Sequence, residues 1–136
     1  VTSAYSNTTA SYTDVTDTSV TLTTQGGPVL ITFNGSFQVT SGNATNPTEA
    51  IGRAALVRDG TQIQEVYFGS TFNVDAGANA ISVTPVSIMY METPSAASHT
   101  YKIQARLDST NTNRVLDAVT AAGNSKRSLQ VPELKR

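Results

Sequence analysis

Two consecutive stretches between Asn79 and Asp108 constrain the fold more than any other part of this sequence. On the second, Tyr101, Ile103, Ala105 and Leu107 alternate with Lys102, Gln104, Arg106 and Asp108, the period-two signature of a strand with one dry face and one wet face. On the first, Val83, Val86, Ile88, Met89, Tyr90 and Met91 are apolar on both faces, so this strand needs cover on both sides. Pro94, Ser95, Ala96, Ala97 and Ser98 separate the two, and the pattern predicts one long β-hairpin. One face of its first arm meets the core of the subunit. The other points to a partner surface, because a chain of 136 residues has little left with which to cover it.

That length fits one domain and buries most of its apolar surface without staples. There is no cysteine, so neither a disulfide nor a thiolate metal site contributes and the redox compartment stays open. A net charge of -1 with 14% charged residues lacks the basic surface that phosphate neutralisation requires, which argues against nucleic acid. The apolar runs fall short of the roughly 20 residues of a spanning helix, and no signal peptide is visible ahead of the first strand; a membrane is not expected. Thr is the most frequent residue and Val is plentiful, while Glu and Leu are few, which predicts an all-β domain.

Taken in order, residues 1–10 read as a small polar arm and residues 11–136 as one β-domain. Tyr5 and Asn7 are the arm's candidate contacts with a partner. From Ser11 to Thr24 the pattern predicts two short strands, with Asp14 and Asp17 bracketing a break. Gln25-Gly26-Gly27-Pro28 is a turn. Val29, Ile31, Phe33, Gly35, Phe37 and Val39 then share one face. Asn34-Gly35 is by itself a strong hairpin signal, but the alternation keeps its phase through the dipeptide, so a continuous strand is expected, with Gly35 marking the close approach of a backbone or a bulky ring. Residues 41–50 are a polar loop. Asp59-Gly60 closes a hairpin between residues 51–58 and 61–68; Ala54, Ala55 and Leu56 would suit a competing helix, but the Asp-Gly turn followed by β-branched alternation favours the hairpin. Residues 114–119 form a short strand, and Pro132 places the last one at an edge or an end. Eight to ten short strands suggest a β-sandwich or jelly roll.

Chemistry is sparse. His99 is the one histidine, which excludes a two-histidine metal site in one chain and strains a serine triad; it reads as a hydrogen-bonded structural residue. The carboxylates Asp14, Asp17, Glu49, Asp59, Glu65, Asp75, Glu92 and Asp108 fall mostly at turns and strand ends, where local hydrogen bonding explains them. A cation shared by Asp14 and Asp17 has only common spacing behind it. Tyr67, Tyr90 and Tyr101 would suit a sugar-stacking platform, against the more frequent use of such rings in packing. Lys126, Arg127, Lys135 and Arg136 read as a solvated basic end. Met89 and Met91 carry the stronger signal, because Met adapts to partner surfaces; with Tyr90 and Tyr101 they form the candidate trimer interface. No catalytic residue, cofactor or metal is expected; besides the Asp14 and Asp17 pair, three copies of His99 meeting at a threefold axis would offer a metal site.

The succession PVLITFNGSF, ALVRDGTQI, PVSIMYMETPSAASHTYKIQAR and RSLQVPELKR resembles the small jelly-roll domains of tailed-phage structural proteins, found in head decoration (cement) proteins and in fibre tips. These are similar in outline to the trimeric jelly rolls of the tumour necrosis factor and complement globular-head type. The resemblance spans roughly residues 10–136. It implies a homotrimeric, non-enzymatic virion protein. As a decoration protein the chain would sit on the capsid exterior, with the major capsid protein as partner and the arm as a bridge. The alternative is a receptor-binding head that contacts host surface glycans through loops such as 41–50 and 109–113. No shaft, coiled coil or collagen-like stem precedes residue 10, which favours the decoration protein.

Overall fold

The computed structural model describes residues 5–42, 48–72, 77, 79–108, 114–118 and 127–134. Among these residues there are nine strands: β1 (Tyr5–Asn7), β2 (Thr13–Thr23), β3 (Val29–Ser41), β4 (Thr48–Arg58), β5 (Thr61–Phe72), β6 (Ala80–Glu92), β7 (Ser98–Leu107), β8 (Arg114–Ala118) and β9 (Ser128–Gln130). They build two antiparallel sheets, one of five strands in the order β1-β8-β3-β6 with β9 also on β3, the other of four in the order β2-β7-β4-β5. The architecture is an all-β sandwich. No helix among the described residues is long and apolar enough to cross a membrane.

The pairing is nested. β4 joins β5, β3 joins β6, β2 joins β7 and β1 joins β8, so the chain behaves as one long antiparallel ribbon doubled back at its middle. The fold of that ribbon is the β4–β5 hairpin. Its two-residue turn holds both Asp59 (φ 50°) and Gly60 (φ 83°) in the left-handed region, the conformation that a primed hairpin turn demands and that an Asp-Gly pair tolerates.

This arrangement corrects the expected hairpin over residues 79–108. β6 pairs with β3 in the five-stranded sheet, whereas β7 lies between β2 and β4 in the other. The segment around Pro94 is therefore a corner between sheets. Tyr101, Ile103, Ala105 and Leu107 on β7 and Val86 and Ile88 on β6 belong to one buried cluster, so the two dry faces meet across the core instead of lying side by side. Period-two alternation is the same in both cases, which is why the pattern alone did not separate them.

The expectation of a continuous strand through Asn34-Gly35 holds. β3 runs unbroken from Val29 to Ser41 through Asn34-Gly35, with Val29, Ile31, Phe33, Phe37 and Val39 fully buried. A Cβ on Gly35 would lie 2.7 Å from Cζ of Phe33, so the ring occupies the space that a side chain would need. Phe37 stacks on Phe68 of β5 at 4.8 Å between centroids, bridging the two sheets. The region of Asp14 and Asp17 is one strand with a bulge and not two strands: the β2–β7 register shifts between Asp14 and Ser19, and Asp17 takes φ 60°.

The arm is also revised. Tyr5 and Asn7 are buried in β1, which pairs with β8. The Tyr5 hydroxyl and the Asn7 side-chain amide both donate to the Ala105 carbonyl, at 2.9 and 3.1 Å. Residues 5–7 are thus part of the sandwich, held by a carbonyl of the facing sheet; residues 1–4 lie outside the described residues.

Candidate interaction surface

The two outer faces of the sandwich treat apolar residues in opposite ways. On the four-stranded sheet Ala55 and Val57 point outward, yet they are buried. Their cross-strand partners are Gln104 and Lys102, long side chains whose stems cover apolar surface while their polar ends reach water. Those ends are tied down: Asp14 accepts from Lys102 Nζ at 2.8 Å and from Gln104 Nε2 at 2.7 Å, and these bonds hold its carboxyl below the usual range. Asp14 is thereby committed to Lys102 and Gln104 rather than to a cation shared with Asp17.

Further along this face Arg53 bridges Glu65 and Asp108, and its guanidinium lies 4.1 Å above the Tyr67 ring. Arg106 lies over Tyr12, whose hydroxyl donates to Glu65. Burial first, and the Glu65 carboxylate second, push the Tyr12 phenol up to about 12. Arg53 and Arg106 stand directly opposite each other across β4 and β7, and the two carboxylates beside them offset that repulsion.

Among the described residues the five-stranded sheet has no such cover along β6, and the neighbouring β3 positions are half-buried or exposed. β6 is one of its edge strands. The outward positions of β6 are Ile81, Val83, Pro85, Ser87, Met89 and Met91, all exposed, and Met89 and Met91 reach 73% and 64%. Beside them on β3 stand Leu30, Thr32, Asn34, Ser36, Gln38 and Thr40. No charged residue occurs at any of these positions; Glu92 at the end of β6 alternates to the other face, and Asp117 on β8 stands opposite Gln38. Long exposed edge strands are normally blunted by charge, and this one carries an apolar stripe in a neutral surround.

Of the four residues expected at an interface, Met89 and Met91 lie on this stripe. Tyr90 faces the other way and packs on the core. Tyr101 is fully buried, with its hydroxyl donating to Glu92 at 2.9 Å; burial and that carboxylate raise its pKa. A sugar platform of Tyr67, Tyr90 and Tyr101, the less favoured use of these rings, is not assembled, since Tyr90 and Tyr101 pack inward and Tyr67 is the exposed one of the three, at 61%. Arg127 is buried instead of solvated, and one of its nitrogens donates to Thr16 Oγ1 at 3.4 Å. Lys126, Lys135, Arg136 and the loop tips at 43–47 and 109–113 lie outside the described residues.

A polar cluster that the sequence pattern did not reveal gathers at one end of the sandwich. His99 Nδ1 is 2.6 Å from Asp59 Oδ2, and Nε2 is 3.1 Å from the Ser95 carbonyl and 3.3 Å from the Ser95 hydroxyl. Asp59 raises the imidazole's pKa, with the Ser95 carbonyl adding to the effect. The order Ser95, His99, Asp59 has the outline of a serine triad. The Ser95 carbonyl shares Nε2 with the hydroxyl, so which of the two the ring engages depends on its protonation state. With both ring nitrogens engaged and 8% exposure, His99 is not poised to meet its copies around a metal.

No family model, curated protein or solved structure matches this chain.

Proposed function

We propose that this chain is a non-enzymatic virion structural protein of a tailed bacteriophage, a homotrimeric jelly roll that decorates and cements the head exterior. The nested pairing of β1–β8, β2–β7, β3–β6 and β4–β5 supports the jelly-roll reading. The bare, uncharged face of β6 and β3 is the observation that carries self-association. Assignment to a phage head, and the number three, rest on the resemblance of the four sequence segments.

The face is large enough to matter but insufficient alone. Two strands of this length, spaced about 4.8 Å apart and rising about 3.3 Å per residue, present roughly 400 Å². That is about half of the ~800 Å² that each partner contributes to a standard interface. In a closed ring each subunit offers one patch to one neighbour and a different patch to the other, so this face meets a second, distinct surface of the adjacent copy.

Light scattering through a dilution series tests the reading. The expected result is a stable mass of three chains, reduced to one chain in the Met89→Glu/Met91→Glu variant while the circular dichroism of the sandwich is kept. A wild-type protein of single-chain mass at all concentrations sinks the trimer. Co-sedimentation of the trimer with phage heads then tests the capsid as partner.

Tyr67 favours a second reading, a receptor-binding head for host glycans. It is an exposed ring fixed by Arg53 on the opposite outer face. A glycan array supports that reading if hits appear and vanish in Tyr67→Ala.

A further inference from the structure

We propose that His99 is a proton-gated clasp that ties the β4–β5 turn to the corner between β6 and β7, with Ser95 offering the same ring nitrogen an acceptor in one protonation state and a donor in the other. The geometry assigns the partners. Asp59 is fixed from three sides: its backbone N–H donates to the Thr100 carbonyl at 2.9 Å, its Oδ1 accepts the Thr100 N–H at 2.8 Å, and its Oδ2 faces His99 Nδ1. Nδ1 is therefore the protonated nitrogen in either state, donating to the carboxylate.

The switch lies at Nε2. When protonated, it donates to the Ser95 carbonyl. When it loses that proton, its lone pair faces the carbonyl oxygen, an unfavourable pairing, and the Ser95 hydroxyl is the nearby donor. Thr24 holds the same corner independently of pH, through Oγ1 to the Ser95 carbonyl at 2.6 Å and through its N–H to the Ala97 carbonyl at 2.9 Å. Deprotonation thus loosens one of the ties that hold the exit of β6, the strand that carries Met89 and Met91, without releasing the corner.

The surrounding charges are few. Asp59 belongs to the turn. Arg58, at the end of β4, lies 3.9 Å from the same Asp59 oxygen and opposes protonation of the ring. Glu92 of β6 engages Arg58 and the Tyr101 hydroxyl of β7. From β2 the register partner of His99 is the uncharged Leu22. Asp59 is thus the acidic group in contact with the ring, and Glu92 balances Arg58.

Because the chain has a single histidine, its imidazole resonances need no assignment, and a pH titration by NMR reads the clasp directly. The midpoint is expected above 6.5, the ordinary histidine value. Asp59→Asn is expected to lower it. Ser95→Ala, at an exposed position, is expected to raise it beyond wild type, because the neutral ring then loses its hydrogen-bond donor while the carbonyl acceptor remains. A wild-type midpoint at or below 6.5 overturns the proposal, and so does a Ser95→Ala midpoint equal to wild type, which would show that Nε2 does not exchange partners.

Discussion

At Gly35 the ring of Phe33 fills the place of a side chain, whereas at Gly60 nothing lies within 4 Å and the constraint is the backbone alone, at φ 83°. The two glycines predict different costs. Gly35→Ala displaces a fully buried ring and is expected to destabilise by about 1–3 kcal/mol, as overpacking does; Gly60→Ala adds only a left-handed residue and is expected to cost about 1 kcal/mol. Denaturant midpoints at unchanged slope measure both, and a Gly35→Ala midpoint equal to wild type would count against the steric account of Gly35. A carboxylate near the C-terminus does comparable work. Glu133 Oε1 accepts the backbone N–H groups of Gln25 and Gly27 at 2.9 and 2.8 Å, which holds the β2–β3 turn closed. Gly35 was legible in the sequence as a close-approach site because alternation kept its phase around it. Glu133 was not, because its partners lie more than a hundred positions away and no local pattern links them.

At the scale of the element, β6 has two faces that the sequence wrote in nearly the same apolar letters and the structure uses differently. Val86 and Ile88 face the core, whereas Met89 and Met91 face outward. Substitution separates them. Ile88→Ala is expected to cost about 2–5 kcal/mol, as buried Ile truncations do, while Met89→Ala in the free subunit stays within about 0.5 kcal/mol, as exposed changes do. Chemical denaturation at low protein concentration gives the subunit values. A loss for Met89→Ala that grows with protein concentration would mark association through this face, because binding stabilises by mass action. The doubly apolar pattern did identify the strand that lacks outer cover. It did not identify the strand's neighbour: β6 was read as pairing with the next strand in the chain, and β3 is its partner.

For the whole molecule, the pH dependence of stability has two flanks with opposite signs. Asp14 and Asp59 are held below the ordinary carboxyl value of 3.8, Asp14 chiefly by Lys102 and Asp59 chiefly by His99. Their contribution is complete above 3.8 and fades as pH falls through the lowered folded values. His99 is raised above 6.5, so its contribution is complete below 6.5 and fades as pH rises through the folded value. Stability is therefore expected to peak between 3.8 and 6.5, with an alkaline decline that disappears in His99→Gln; an alkaline decline of equal size in that variant would place its origin elsewhere. Alternation, β-branched composition and the Asp59-Gly60 turn by themselves determined that this chain is all-β, which residues of β3 and β7 share a face, and where the central hairpin folds back, because each is a local rule about side-chain direction or backbone dihedrals. Only the tertiary structure decided which strands pair, that Tyr5, Asn7, Tyr101 and Arg127 are buried, and that Asp59, Ser95 and His99 meet. Those outcomes depend on how the doubled ribbon closes on itself, and closure is set by the packing of the two sheets over a shared core, a property of the whole chain and of no single segment.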